Sequence, residues 1–209
     1  MANIIYTIDT YAGPVPQTSI NGVSCPFRQD VVEYLIGSLS NLNSESNFLD
    51  IGSKDASVSY LGVLYGNSAA VYSHYTWPTS GWEDGGYPVD GSIAEYWNFW
   101  NTVKQTGNQR KIIPMRGIPQ YTLGCHDEKT IDLAFVSVNL LGDIFVQDIL
   151  KILTSRMKSG GQIILVEAVT SSPAFDKILQ TVPNSQQITS TVATATQLAR
   201  QIRFMSILC

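Results

Sequence analysis

Apolar residues recur along this chain with two different periods. Phe27, Val31, Val32, Leu35, Ile36 and Leu39 return every three or four residues, which predicts a helix opening at Pro26, a residue tolerated in a first turn. Short, largely apolar runs follow: 48–52, ending in a glycine turn and interrupted by Asp50, 69–73, and 131–138, interrupted by Asp132 and Ser137. With 111–117 and 162–168 they predict five buried strands, although Pro114 argues against a central place for the third in chain order. Helical spacing returns at 56–65, at 93–105 behind a possible Ser92 cap, and at 144–157, where Gly160-Gly161 marks the stop. A further helix is predicted over 173–182, and two final strands over 188–192 and 201–208.

Strand–helix units in alternation imply an α/β fold of the Rossmann-like, doubly wound type. Its sheet is mainly parallel, with helices on both faces and a C-terminal antiparallel strand pair. Residues 1–25, rich in Pro, Gly, Thr and Asn, read as an irregular arm with one short strand at 4–8, ahead of a domain over 26–209. The stretch 74–91 reads as a long loop carrying Trp77, Trp82 and Tyr87, an aromatic set able to cover a ligand.

Composition narrows the function. Charged residues make up 14% and apolar ones 44%, which excludes a disordered chain. The net charge of −4 comes without a basic stripe, so a nucleic-acid partner is not expected. The apolar runs are too short to cross a bilayer, and the first residues do not read as a signal peptide. Three widely spaced cysteines, Cys25, Cys125 and Cys209, form neither a disulfide framework nor a zinc motif, which fits a cytoplasmic setting.

Ligands of open parallel sheets sit beyond the C-terminal strand ends. The first such turn here is Leu49-Asp50-Ile51-Gly52-Ser53, where Gly52 allows close approach to the backbone. Phe48-Leu49-Asp50-Ile51-Gly52-Ser53 resembles the first motif of class I S-adenosylmethionine-dependent methyltransferases, acidic-x-Gly-x-Gly-x-Gly. The 131–136 strand and the Lys158-Ser159-Gly160-Gly161 turn are similar to later family elements. The ends of the 71–77 and 112–117 segments resemble the macrocin-type and small-molecule O-methyltransferase branch. The resemblance implies a degenerate member, S-adenosylmethionine as cofactor, and methyl transfer to a small-molecule acceptor.

It also implies site residues. Asp50, Gly52 and Ser53 would hold the donor, with Tyr75, Trp77, Arg116 and Ser137 bordering it, and His74 would serve as general base. The departures are specific. Asp55 and Ser57 stand where the family has further small residues. His74 and Tyr75 stand where an acid would hold the ribose hydroxyls. The fourth strand reads Phe135-Val136-Ser137-Val138-Asn139, without the branch's metal-holding carboxylates, so no metal is expected. These losses raise an alternative, a catalytically silent interaction or assembly module, and a homodimer is compatible with the aromatic-rich composition. A dehydrogenase reading lacks the second and third glycines of its fingerprint. Trp97 and Trp100 are expected in the core, His126 in an exposed turn, and Asp132 capping or pairing at the far sheet edge.

Overall fold

A computed structural model describes residues 4–8, 16–25, 27, 29–53, 55–67, 70–75, 92–137, 143–166, 185–190 and 202–209. Strands β1 (Ile4–Ile8), β2 (Pro16–Ile20) and β3 (Val23–Cys25) form a small antiparallel sheet where an irregular arm is expected. The tight reversal at Asn21-Gly22, both at positive φ, makes the β2–β3 turn. Ile20, Cys25 and Phe27 are buried in the same core as the main sheet, so this segment packs onto the domain.

The main elements are α1 (Gln29–Leu39), β4 (Asn47–Ile51), α2 (Ser57–Tyr65), β5 (Ala70–Tyr75), α3 (Ser92–Gln105) and β6 (Ile112–Arg116). Then come a short α4 (Pro119–Thr122) continued by a 3-10 turn (Leu123–Cys125), β7 (Ile131–Ser137), α5 (Asp143–Arg156), β8 (Met157–Val166), β9 (Ser185–Ser190) and β10 (Ile202–Leu208). The α4 turn is a helix that periodicity did not predict, because four residues are too few to carry a period. The helix expected over 173–182 lies outside the described residues.

Seven strands lie in the order β6-β5-β4-β7-β8-β10-β9. β4 to β8 run parallel, as expected, and β10 enters antiparallel between β8 and β9. Strand order therefore reverses at β4, whose neighbours are β5 and β7, and the turn after β4 sits at the switch point. Pro114 is accommodated because β6 is an edge strand.

Alternation along the strands splits the core in two. Phe48, Val71, Ile112, Leu133, Phe135, Ile164 and Val166 pack with α1, α2 and α3 on one face. Leu49, Ile51, Ala134, Val136, Ile163 and Leu165 pack with α5 and the 3-10 turn on the other. α2 lies close on the sheet: a Cβ on Gly62 would fall 2.5 Å from the Phe48 ring. On α3 the buried stripe runs through Phe99 and Val103, leaving Trp97 54% exposed, against the expectation that it lies in the core.

The glycine turn expected before the last central strand lies inside it. Ile131 pairs with Met157 and Leu133 with Gln162, so Lys158 to Gly161 loop out between. Gly160 at φ 80 makes this possible. Lys158 Nζ then reaches both carboxylate oxygens of Asp132 at 2.9 Å, and Asp132 accepts the Asn47 amide at 2.9 Å. The far-edge role expected of Asp132 is what the structure shows.

Candidate functional site at the strand ends

Asp50, on the last turn of β4, points to the α2 face and is fully buried. Ser59 of α2 donates to its Oδ2 at 2.6 Å, and Oδ1 has no partner. Burial pushes the carboxyl up to about 7, against the lowering effect of Ser53 and Ser59. Asp50 is in register with Ser73 of β5, whose buried hydroxyl has no partner among the described residues, and the buried Ser53 hydroxyl lies beside the carboxyl. One oxygen of a buried carboxyl and the neighbouring Ser73 hydroxyl thus lack partners among the described residues, with Ser53 beside them. Such groups are rare in folded cores and point to a ligand or water.

The turn beyond β4 is tight. Gly52 takes φ 95 and donates to the His74 carbonyl at 2.9 Å, extending the β4–β5 pairing into the turn. The Asp55 side chain accepts from the Ser57 amide at 3.1 Å and the Ser57 hydroxyl at 2.8 Å, ordering the start of α2. Counted in twos from Gly52, the later glycine positions of the motif hold Lys54 and Ala56, which corrects the expectation that Asp55 and Ser57 stand there. Ala56 takes φ 62, the left-handed backbone a glycine adopts freely, and its methyl group is fully buried.

The neighbouring strand ends bring further expected residues to this face. Tyr75 and Arg116 are in register at the ends of β5 and β6, and the Arg116 guanidinium stacks 5.3 Å over the Tyr96 ring of α3. Ser137 ends β7, buried, on the face that Phe135 occupies. Asp50, Gly52, Ser53, Tyr75, Arg116 and Ser137 are thereby gathered at one edge of the sheet. Trp77, with Trp82 and Tyr87, lies outside the described residues.

His74 departs from this group. One residue past Ser73, its side chain leaves the sheet on the α4–α5 face and is fully buried. Its Nδ1 lies 2.8 Å from Thr122 Oγ1 and its Nε2 lies 2.9 Å from His126 Nε2. Burial first, and the neighbouring His126 second, hold its pKa down at about 3. His126 is half-buried, not in an open turn, and stands edge-on to Tyr72 at 4.7 Å between centroids. Its partnership with His74 crosses 52 residues, a separation no local pattern could signal.

No protein-family profile matches the sequence, and no curated protein matches it. Solved structures do. The precorrin-6y C5,15-methyltransferase of Geobacter metallireducens superposes with a TM-score of 0.62 at 17% identity, covering 86% of this chain and 87% of that one. A precorrin 8w decarboxylase of Methanobacterium thermoautotrophicum gives 0.61 at 16% identity over 90% and 95%. An rRNA methylase of Streptococcus thermophilus gives 0.61 at 9% identity over 85% and 93%. At these identities the likeness is one of fold. With its parallel core, inserted antiparallel strand and switch-point turn after Asp50, this chain has the α/β fold of these solved structures, a methyltransferase and a methylase among them.

Proposed function

We propose that this protein binds S-adenosylmethionine at the β4 turn and transfers its methyl group to a small-molecule acceptor without a metal. The observation that supports this most is the unpartnered Oδ1 of Asp50, buried at the switch point beside the Ser53 and Ser73 hydroxyls. A carboxylate held out of water suits a cationic group, and the donor brings two, an ammonium and a sulfonium. Asp50 and Ser53 would hold the amino end, and Gly52 would let the ligand approach the backbone. Tyr75, Trp77, Arg116 and Ser137 would border the nucleoside, with no acid at the β5 end for the ribose hydroxyls.

The donor carries an activated methyl group, so the chain's task is to orient the nucleophile and exclude water. His74, the general base that the resemblance implies, is not free for that role: it lies on the sheet face away from Asp50 and both ring nitrogens are engaged by Thr122 and His126. Burial holds its pKa at about 3, which makes it a weak base at neutral pH.

A second reading, a catalytically silent module of the same fold, is favoured by one observation. Ala56 occupies a left-handed motif position with its methyl group buried, which narrows the turn a donor would enter. Titration calorimetry with S-adenosylmethionine and S-adenosylhomocysteine separates the two. Binding below millimolar, lost in Asp50→Ala, supports the enzyme. Failure of both ligands to bind at millimolar concentration sinks it and leaves the module.

A further inference from the structure

On the face of the sheet away from Asp50, α4 and α5 enclose an open groove of about 710 Å³, lined by Ile118, Gln120, Tyr121, Lys151, Ile152 and Arg156 among others. The chain as a whole carries a net charge of −4, yet this groove sets two cations, Lys151 and Arg156, against the single acid Asp148. Arg156 is under-used. Among the described residues its Nε is buried with no acceptor, and its Nη1 meets Glu128 at 3.9 Å, whose side chain is 72% exposed. The Arg156 side chain is 22% exposed and lines the groove, so the outer part of the guanidinium is within reach of a ligand oxyanion. The planar guanidinium matches phosphate geometry, and Lys151 supplies a second positive charge for a dianion. Beside these cations the wall is apolar and flat: the Tyr121 ring is 76% exposed, flanked by Ile118 and Ile152. The volume is in the range of small-molecule sites, far more than inorganic phosphate needs.

We propose that the α4–α5 groove is a binding site for an organic phosphate, with the phosphoryl group on Arg156 and Lys151 and a flat apolar body on Tyr121. This site is separate from the strand-end site and its test needs no methyl donor.

The groove has a built-in reporter. Arg156 is close enough to His126 to contribute to its lowered pKa, behind burial and opposed by Asp127. His74 and Tyr72 are the other groups facing that ring. An anion on Arg156 offsets its charge, so His126 becomes easier to protonate.

The experiment is an NMR titration of the His126 ring at constant ionic strength, with adenosine 5′-monophosphate as the organic phosphate and inorganic phosphate in parallel. The expected result is saturable binding of the nucleotide, at least tenfold tighter than inorganic phosphate. The His126 midpoint moves up at saturation. Arg156→Gln removes the response, and Lys151→Gln, a change at an exposed helix position, weakens nucleotide binding several-fold. A nucleotide that leaves the His126 resonance and midpoint unmoved overturns the proposal. So does equal affinity for inorganic phosphate, or undiminished binding in the folded Lys151→Gln and Arg156→Gln proteins.

Discussion

The Nε2 atoms of His74 and His126 face each other at 2.9 Å, so in the neutral pair one ring donates a proton and the other accepts it. Full protonation would leave two N–H groups opposed, with His74 sealed from water. Burial holds the His74 pKa near 3, below the ordinary 6.5, and His126 is lowered as well. The unfolded chain therefore binds more protons than the folded one between about pH 3 and 6.5. His74 makes stability fall as pH drops through that window.

Asp50 acts in the opposite direction. Its carboxyl, raised from 3.8 to about 7 by burial, is protonated in the fold while the unfolded chain has already ionised. Stability from Asp50 is then full at acid pH and is lost as pH rises from about 4 to about 7. The two residues offset each other where their windows overlap. Urea unfolding from pH 4.5 to 6.5 should show Asp50→Asn gaining stability with rising pH and His74→Gln losing it, each approaching 1.4 kcal/mol per pH unit. Parallel profiles for both variants would refute the assignment.

Donor binding, if Asp50 holds the cationic amino end, carries the same signature. Affinity for S-adenosylmethionine should rise with pH between about 6 and 8, as the carboxyl ionises. Asp50→Asn should weaken binding about tenfold or more and flatten that dependence. Calorimetry at three pH values is sufficient, and a pH-independent affinity in the unmodified protein would count against the contact.

Gly62→Ala should destabilise the domain although alanine is the better helix former. The added Cβ would lie 2.5 Å from Phe48 Cδ1 and 3.2 Å from Val71 Cγ2, both fully buried. Overpacking costs about 1–3 kcal/mol, more than the roughly 1 kcal/mol gained in helix propensity. A thermal melt several degrees below that of the parent is expected, and an unchanged or raised Tm would contradict the close α2–β4 packing.

Asp132→Ala removes two contacts at the opposite edge, the bidentate Lys158 pair and the Asn47 amide. Both groups are only partly buried, so a loss of about 1–2 kcal/mol is expected in denaturant unfolding. Ligand binding at the strand ends should be unaffected, since the change lies across the sheet.

Much of this architecture is legible in the sequence because burial writes it there. Runs such as Phe48–Ile51 and Ile131–Val136 are apolar on both faces apart from one aspartate each, as strands covered on both faces are expected to be. Gly52 and Asp50 stand out for the same reason, as a glycine and a charged residue at the C-terminal end of such a run. What escapes is set by distance along the chain or by brevity. Thr122 and His126 meet His74 from 48 and 52 residues away, and α4 has only four residues. Spacing from Trp100 places Trp97 in the core, whereas the Phe99–Val103 stripe decides which side of α3 is covered. Lys158–Gly161 reads as a boundary but is a bulge, since a glycine turn interrupts a strand with the same residues that would end one.

The place of β10 between β8 and β9 orders assembly in time. β9 is made first but has no neighbour on the sheet until the last strand has docked against β8. The edge nearest the chain's end must therefore stay open through synthesis of this domain and close in one late step. Agents that delay this closure, such as a tethered strand competing for β8, would trap a five-stranded species with an unsatisfied rim.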